Sequence, residues 1–309
     1  MQRYNSFGPF MRKKFGSTVY KVNVDAGFTC PNRDGTLGVT GCIYCNNDSF
    51  RPNSCKPSLS ISEQVQSGIG HVKKRYKADK FLVYFQAYTN TYAPLLELEK
   101  MYHEALSHPG VLGLAIGTRP DAVDEEKIAM LQDLASRYFI LIEYGLQSIY
   151  DRSLEYINRG HNYQAFLEAI EMTKDRNIAV GAHLIVGFPT ETREEMLVMA
   201  DTISRLPVQF LKVHQLQIVR ETPLAGIYQE KPFHVFEYQE YLDFIVDFIE
   251  RTSPEIVFQR LYATAPDAIL VAPEWGRNRH QILHDIEKRL ELRQSCQGKK
   301  FDLAAVNSG

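Results

Sequence analysis

Short apolar runs alternate with longer amphipathic segments along most of the 309-residue chain. The apolar runs predict six β-strands, at residues 19–24, 81–85, 111–116, 139–144, 179–186 and 210–218. Helical spacing and capping residues predict helices at residues 60–76, 94–107, 124–136, 163–176 and 193–206. Parallel strands joined by helices cross over right-handed and curl into barrels whose reactive groups follow the strands. The pattern therefore predicts an α/β fold with an incomplete, six-stranded barrel.

The alternation stops at about residue 220. Beyond it the pattern predicts a helix at residues 235–250, one strand-like segment at 255–258 and a last helix at 279–293. We expect residues 1–220 to form the barrel core with its N-terminal segment, and residues 221–309 to form a C-terminal α/β extension. An ordinary eight-stranded barrel is the alternative, although only one further strand-like segment is present to complete it.

Three cysteines near the N-terminus, Cys30, Cys42 and Cys45, carry the most distinctive chemistry of the chain. They follow the first predicted strand in a loop rich in Gly, Asn and Asp residues. Three thiolates can hold a cubane iron–sulfur cluster by three of its irons and leave the fourth iron open to a small molecule. With Cys55 as a fourth thiolate, the same loop would instead form a tetrahedral zinc site.

The composition, with 44% hydrophobic and 23% charged residues, is that of a soluble globular protein with a large core. No apolar stretch is long enough to span a bilayer, and the first residues lack the apolar core of a signal peptide. Five cysteines do not suggest a disulfide framework, and a thiolate-bound cluster needs a reducing compartment. We therefore expect a cytoplasmic protein.

A formal net charge of −2 gives no overall attraction to nucleic acid, so an RNA partner would need a local basic patch. The candidates are residues 12–14, residues 73–77 and a C-terminal set. That set comprises Lys288, Arg289, Arg293, Lys299 and Lys300. Such runs are also typical of ordinary solvated helix faces.

Residues 30–36, Cys-Pro-Asn-Arg-Asp-Gly-Thr, and residues 41–45, Gly-Cys-Ile-Tyr-Cys, resemble the cluster loop of the radical S-adenosylmethionine (SAM) superfamily. The spacing Cys-x11-Cys-x2-Cys is wider than the usual Cys-x3-Cys-x2-Cys and is similar to that of the YhcC/YtqA-type branch, with its MnmL-like tRNA wobble-uridine modification enzymes. The resemblance covers nearly the whole chain. It implies a partial (βα)6 TIM-type barrel, a [4Fe-4S] cluster on Cys30, Cys42 and Cys45, and SAM as the second cofactor.

The resemblance also implies which residues contact SAM. Tyr44 would lie beside the adenine. Gln86 and Asn90 follow the second strand, where relatives often carry a Gly-Gly-Glu motif for the methionine amino group, but this chain lacks those glycines and the glutamate. Val186 ends the fifth strand, and Gly187 begins a Gly-Phe-Pro-x-Glu-Thr turn that relatives use beside the adenine; the threonines of this turn are equally suited to cap the next helix.

The fourth strand carries Glu143, Gln147 and Ser148 in an element similar to the family's Glu-x-Gly-x-Gln-Ser. A charged residue is costly to bury in an apolar strand, which favours a ligand-facing role for Glu143, such as binding the SAM ribose or amino group. On the sixth strand His214 shares one face with Lys212, and the sequence does not decide which face lines the barrel. We include His214 among the candidate SAM contacts.

The implied chemistry is reductive cleavage of SAM to methionine and a 5′-deoxyadenosyl radical, which takes a hydrogen atom from the substrate. Related proteins of this branch are linked to the tRNA wobble uridine, where a 5-carboxymethylaminomethyl side chain becomes the aminomethyl form. The implied partners are the tRNA anticodon loop, an electron donor such as flavodoxin or ferredoxin, and a downstream tRNA methyltransferase. An extruded base would stack on tyrosines such as Tyr88, Tyr92 and Tyr262.

Two other functions are compatible with the sequence. One is a radical SAM enzyme that acts on a small metabolite or a tetrapyrrole. The other is a zinc-stabilised RNA-binding module without catalysis. The order of the motifs along the chain matches the order in which a radical SAM barrel presents its strand ends. A zinc module predicts no such order, and the sequence therefore favours the enzyme.

Overall fold

The structure, a computed structural model, describes residues 2–46 and 58–302. Its strands are β1 (Val19–Val24), β2 (Lys80–Phe85), β3 (Val111–Thr118), β4 (Phe139–Gln147), β5 (Ala179–Val186), β6 (Phe210–Gln215), β7 (Ile218–Val219), β8 (Val257–Arg260) and β9 (Leu270–Ala272). Its helices are α1 (Phe7–Phe15), α2 (Ile61–Tyr76), α3 (Leu95–Leu106), α4 (Glu125–Ala135), α5 (Asp151–Tyr156), α6 (Tyr163–Thr173), α7 (Arg193–Ile203), α8 (Pro223–Glu230), α9 (Tyr238–Arg251) and α10 (Arg279–Leu292).

Seven strands form one sheet in the order β1-β2-β3-β4-β5-β6-β8, and each neighbouring pair is parallel. Return helices connect consecutive strands, which is the arrangement that parallel pairing requires. Lys21 Nζ on the edge strand β1 donates to Gln259 Oε1 on the opposite edge strand β8 at 2.7 Å. The sheet is therefore curled into a partial barrel, as the sequence predicts.

The two faces of the curled sheet differ in exposure. Outward side chains such as Val22 and Val213 are buried under the helices, at 2% and 0% exposure. Every second side chain along a strand points inward, and several of these, including Lys21, His183 and His214, are half-buried. The sheet therefore encloses a polar space that solvent reaches, which we call the lumen. We call the C-terminal ends of the strands its upper end and the N-terminal ends its lower end.

Helix α1 closes the lower end of the lumen. Its Met11 is fully buried in a cluster with the first inward residues of the strands. Phe7 and Phe10 pack edge-on against Phe210 at the start of β6, with ring centroids 5.7 and 5.2 Å apart. Edge-to-face aromatic packing of this kind fills space with little polar surface. The lumen thus has an apolar plug beneath a polar wall.

The N-terminal segment meets residues close to the C-terminus beside β8. The N–H of Phe258 donates to Asn5 O at 2.8 Å, and Ser6 forms an isolated parallel bridge with Phe258. Gln297 donates its N–H to Arg3 O at 2.9 Å, and its Oε1 accepts from the Asn5 N–H at 2.7 Å. Helix α1 is therefore fixed by contacts with the last part of the chain.

The structure adds to the predicted elements and corrects two of them. Residues 255–258, assigned from sequence to the C-terminal extension, overlap β8, which is a seventh strand of the barrel sheet. β8 has four residues, too few for a periodic signal, and its pairing with β6 joins distant parts of the chain. The strand predicted at 210–218 ends at Gln215, because residues 218–219 pair antiparallel with β9 outside the barrel. The division of the chain at residue 220 stays a prediction.

The ends of the predicted helices lie within three residues of the observed ends. Side-chain caps explain where several of the helices begin. Ser60, Thr192 and Asn278 each accept from the third residue of their helix in a capping box. The sequence analysis missed the short helices α1, α5 and α8. In α1 the pair Gly8-Pro9 is more typical of a turn, and burial of the apolar face decides in favour of a helix. In the described residues, no helix has the length and apolar character needed to cross a membrane.

The basic C-terminal set is largely engaged in ion pairs. Arg289 on α10 and Arg293, which directly follows that helix, pair with Asp243 on α9, and Arg293 Nη1 lies 2.8 Å from Asp247 Oδ1. Lys300 Nζ lies 3.6 Å from the same Asp247 oxygen. These charges join two helices of the protein, so they are poorly placed to serve as the phosphate-binding patch that the sequence suggested.

We expect Met11→Ala to lower the free energy of unfolding by about 2–5 kcal/mol, because it opens a cavity in a fully buried plug. The measurement is chemical denaturation of the apoprotein. Leu96→Ala on α3 is the matched control, since Leu96 is 78% exposed and its truncation should change stability by less than about 0.5 kcal/mol. Equal values for the two variants would contradict the plug.

Candidate active site

The cysteine loop leaves β1 at the upper end of the lumen, where parallel barrels carry their functional groups. Cys42 is 5% exposed, and Cys30 and Cys45 are half-buried. Turns within the loop bring it back on itself, because the Arg33 N–H donates to Cys30 O at 2.8 Å and the Cys45 N–H donates to Cys42 O at 3.0 Å. The three predicted cluster ligands therefore lie on one compact loop.

The thiols are near enough to influence one another's ionisation. Burial and, next, the neighbouring Cys42 thiol raise the pKa of Cys45 to about 11, with a smaller contribution from Cys30. Iron binds the thiolate form and so offsets the penalty of burying these groups. The donor set of this loop therefore fits a [4Fe-4S] cluster with three protein ligands.

Cys55, the fourth thiolate of the zinc alternative, lies outside the described residues. Within residues 2–46 and 58–302, no three Cys, His, Asp or Glu side chains form a ready-made site for a metal ion. The ligands of a cubane bind separate irons, so their sulfurs need not converge on one point.

Arg159 brings a buried positive charge to the cysteine loop. Its side chain is held by Gly145 O, which accepts from Nε at 3.2 Å and from Nη2 at 2.6 Å. Its Nη1 donates to Cys42 Sγ at 3.6 Å, and Asn32 Nδ2 approaches the same sulfur at 3.9 Å. Hydrogen-bond donors to a ligating sulfur stabilise the more negative, reduced state of a cluster and raise its potential.

The sequence analysis did not select Arg159, although a signal was present. Arg159 precedes Gly160, which has a φ of +77°, in the short turn between α5 and α6. A Cβ at Gly160 would lie 3.0 Å from Asn32 Oδ1, so glycine permits the turn to approach the cysteine loop closely. A charged residue beside such a glycine, shortly after the motif at residues 143–148, was the available signal.

The predicted adenine contacts come together at the upper end. The Tyr44 ring lies 6.4 Å from the Phe188 ring, centroid to centroid. Gly187 has a φ of +100°, and a Cβ there would lie 3.1 Å from the ring of Phe236. Tyr44 and the turn after β5 thus lie side by side in one wall of the upper end. Their contact with SAM stays a prediction.

Gln147 and Ser148 end β4 in an irregular turn. Gln147 has a φ of +76°, in the left-handed region that is unusual for a residue with a side chain, and the register with β5 shifts here. A Cβ at Gly145 would lie 2.9 Å from Gln147 Nε2, so this amide folds back over the inward face of β4. Ser148 is fully buried and donates to Glu191 Oε1. Gln147 therefore faces the site, whereas Ser148 braces two strand ends.

Three other residues that the sequence analysis assigned to SAM have side chains that are less clearly directed at the site. Gln86 is exposed. Asn90 is fully buried, its Nδ2 donates to Gly117 O at 2.7 Å, and its Oδ1 has no partner within the described ranges. The Val186 side chain belongs to the outer core, and its carbonyl accepts from the Leu216 N–H at 2.8 Å. Only the backbone of Val186 is available near the site.

Glu143 is fully buried and lies in a network of protein side chains across the lumen. Its Oε1 is 3.3 Å from Lys21 Nζ, and its Oε2 accepts from Lys212 Nζ and lies 3.2 Å from His183 Nε2. Lys212 Nζ also donates to Tyr84 Oη at 2.7 Å. The partner that the buried charge requires is thus present within the protein, and the assignment of Glu143 to SAM stays a prediction.

The charges of this network follow from burial and proximity. Burial alone would raise the pKa of Glu143, but Lys21 and Lys212 hold it well below its usual range. Burial lowers the pKa of Lys212 to about 7 and that of His183 to about 4. Near neutral pH Glu143 is therefore ionised and His183 is uncharged. His214 lies on the same face, with its ring centroid 6.2 Å from that of His183, so this face of β6 lines the lumen.

Family models and known proteins agree with this architecture. The model of the Radical SAM superfamily matches residues 30–203, and that of the Radical_SAM C-terminal domain matches residues 208–292. YtqA of Bacillus subtilis is 32% identical over 97% of this chain and 93% of its own length. YhcC of Escherichia coli is 34% identical over 93% of this chain and 92% of its own length. A tRNA uridine(34) acetyltransferase of Methanocaldococcus infernus is 24% identical over 65% of this chain and 38% of its own length.

Among solved structures, the archaeal Elp3 of Methanocaldococcus infernus superposes with a TM-score of 0.70 at 18% identity, over 90% of this chain and 64% of that one. The partial barrel with its three-cysteine loop is the architecture of a radical SAM enzyme. The chain belongs to the radical SAM superfamily, and its cofactors are a [4Fe-4S] cluster and SAM. It is similar to YtqA and YhcC over nearly its whole length.

We expect Cys30→Ala, Cys42→Ala and Cys45→Ala each to abolish SAM cleavage and to lose the cluster, because each removes one of three ligands. The measurement is iron and sulfide content after anaerobic reconstitution, about four of each per chain in the unmodified protein. Cys296→Ala is the control, since Cys296 is exposed and should not affect either readout. Full iron binding by the Cys42 variant would disprove the ligand assignment.

Arg159→Gln should lower the reduction potential of the cluster by tens of millivolts while iron content stays near that of the unmodified protein. The reason is the loss of a charged donor to Cys42 Sγ. An anaerobic redox titration followed by electron paramagnetic resonance measures the potential. Arg152→Gln is the control, because Arg152 forms an ion pair with Glu195 on the surface. The same potential in both variants would contradict the inferred role.

Proposed function

We propose that this radical SAM enzyme acts on the wobble uridine of tRNA and converts its 5-carboxymethylaminomethyl side chain to the aminomethyl form. The observation that carries the proposal is the similarity to a tRNA uridine(34) acetyltransferase. We do not propose the acetyl transfer that appears in the name of this relative, because the match covers only 38% of its length. What the similarity supports is the substrate, uridine 34 of tRNA.

The site supports the proposal because different parts of it are suited to hold the cluster and SAM. The cysteine loop would hold the cluster, and Tyr44, Gln147 and the turn at residues 187–192 would hold SAM at the upper end. When bound, these cofactors supply a radical that removes a hydrogen atom from the substrate. The protein orients the reactants, and the plug formed by α1 keeps water from entering at the lower end.

A substrate base would enter from the upper end, where loops after the strands form a rim. Residues 88–92 pack on the cysteine loop, since the Thr89 N–H donates to Thr29 O at 3.2 Å and Tyr92 Oη lies 2.8 Å from Thr36 Oγ1. Tyrosines here suit stacking of an extruded base. Tyr262 does not, because it is 6% exposed and packs in the outer core, which corrects the sequence-based choice.

Charged residues near the rim are better placed for tRNA than the basic runs. Residues 12–14 lie on the lower plug, and residues 73–75 lie in the last turn of α2, which returns to the lower end before β2. Arg220 is exposed, and its carbonyl accepts from Asn46 Nδ2 at 3.2 Å, next to Cys45. We propose Arg220 as a phosphate contact. The electron donor and the downstream methyltransferase stay predictions.

Cells that lack this protein should accumulate the 5-carboxymethylaminomethyl nucleoside in tRNA, because its conversion stops. Digestion of bulk tRNA and mass spectrometry of the nucleosides measure this. The purified enzyme with SAM and a reductant should convert the accumulated form in vitro. An unchanged profile together with active SAM cleavage would contradict the tRNA proposal and favour a small-molecule substrate.

Arg220→Gln should weaken tRNA binding and reduce the slope of log affinity against log salt by about 0.7 to 0.9, the value for one lost phosphate contact. Titrations of tRNA binding at several salt concentrations measure the slope. Arg12→Gln is the matched control, because it removes an equal charge from the lower plug. Equal slopes for the two variants would rule out a rim contact at Arg220.

A further inference from the structure

The wall of the lumen contains buried polar atoms that have no partner among the described residues. Gln259 Nε2 and His214 Nε2 are both buried, and neither forms a hydrogen bond within the residues that the structure describes. The opposite arm of the Gln259 amide is fixed, because its Oε1 accepts from Lys21 Nζ at 2.7 Å. Buried polar groups are almost always satisfied in folded proteins, so these atoms indicate a missing partner.

On Lys21, Lys212 and Gln259 the hydrogen-bonding capacity left over is that of donors. Lys21 Nζ donates to Glu143 and to Gln259, and Lys212 Nζ donates to Glu143 and to Tyr84. An ammonium group has three N–H donors and an amide nitrogen has two, so donors remain on both lysines and on Gln259. Glu143 already receives both lysines. An oxygen group rich in lone pairs would complete the network.

The charge around these atoms also favours an anion. Lys21 and Arg260 each contribute a positive charge to the same region, Lys212 is protonated in part of the molecules near neutral pH, and Glu143 contributes one negative charge. Burial and, next, the positive charge of the nearby Arg260 lower the pKa of His214. Positive potential inside a concave wall concentrates anionic ligands.

The network lies below the cofactor level and is open to it. Glu143 precedes Gly145 by two residues on the inward face of β4, about 7 Å along the strand. The carbonyl of Gly145 holds Arg159, which contacts Cys42. The Lys21 side chain remains 24% exposed, so the lumen reaches this depth. A group bound here would extend downward from a base positioned near SAM.

We propose that Lys21, Lys212 and Gln259 form a carboxylate-binding site at the floor of the lumen, and that this site takes the carboxymethyl group of the wobble side chain. The inference rests on the proposed function for the identity of the substrate. Glu143 is a positioning residue, because it holds the two lysines together at the centre of the sheet. The acidic end of the side chain enters first, which leaves the carbon and nitrogen atoms behind it at the level of SAM.

The methionine part of SAM is a second source of a carboxylate. The carboxylate of SAM and that of the substrate can be distinguished by the step that depends on the site. A floor occupied by SAM would control SAM binding and its cleavage in the absence of tRNA. A floor occupied by the substrate would leave both unchanged and would control only the tRNA reaction.

The first test uses a minimal carboxylate and does not depend on tRNA. N-methylglycine reproduces the end of the proposed side chain, and its binding to the reconstituted enzyme with SAM can be followed by carbon-13 resonance of the labelled carboxyl group. Gln259→Glu keeps the acceptor for Lys21 and replaces the unpaired donors with a negative oxygen. We expect it to weaken N-methylglycine binding at least about tenfold, the effect of losing a hydrogen bond to a charged group.

Two further variants complete the comparison. Gln259→Leu removes the donors without adding a charge and should give a smaller loss, which separates the two effects if the charged variant proves unstable. Gln132→Glu is the matched control on the surface, where Gln132 accepts from Arg176 Nη1 at 3.2 Å. It should bind N-methylglycine as the unmodified enzyme does. Equal binding by the unmodified enzyme and Gln259→Glu would overturn the proposal.

The second test uses an anticodon stem-loop RNA with the 5-carboxymethylaminomethyl group or its carboxamide. The unmodified enzyme should prefer the carboxylate, and Gln259→Glu should raise KM for it at least about tenfold and lose the preference. SAM binding and tRNA-independent cleavage should stay unchanged, and their loss would assign the floor to SAM and overturn the proposal. If N-methylglycine binds as expected but neither RNA reacts, the carboxylate site stands and the proposed tRNA function fails.

Discussion

The buried carboxylate of Glu143 and its partners constrain the shape of this barrel. An unpaired charge inside a parallel sheet is strongly unfavourable, and breaking a buried ion pair typically destabilises a protein by about 3–5 kcal/mol. Glu143 lies on the central strand β4, whereas its partners Lys21 and Lys212 come from β1 and β6. They reach the same carboxylate only if the sheet curls. The pairing therefore links the chemistry of the lumen to the curvature of the fold.

The two faces of the sheet have separate tasks. The outward face is apolar and covered by helices, and it supplies the buried area that stabilises the fold. The inward face is free from that requirement, because α1 fills its lower end and leaves the rest accessible. Polar side chains are tolerated there since they pair with one another. In a complete barrel the same positions would be packed with apolar side chains.

Sequence patterns predicted the strands and the cysteine loop but not the side-chain contacts across the lumen. Apolar runs marked six strands, and the spacing of three thiols marked the cluster loop, because both signals are local. Glu143 stood out as a charge in an apolar strand, yet its partners Lys21 and Lys212 are 122 and 69 residues away. Lysines that pair at such separations have no local pattern. The same reason explains why the pairing of β8, four residues long, with the barrel sheet was not predicted.

The bonds between the two ends of the chain have a consequence for synthesis. The plug helix α1 is translated well before Phe258 and Gln297, to which the preceding residue Asn5 is hydrogen-bonded. Domains form their stable contacts as the required partners emerge. A nascent chain that has not yet reached these residues therefore exposes the apolar face of α1 and leaves the lower end of the lumen unsealed. The lower end closes only after residues 258–297 have been translated.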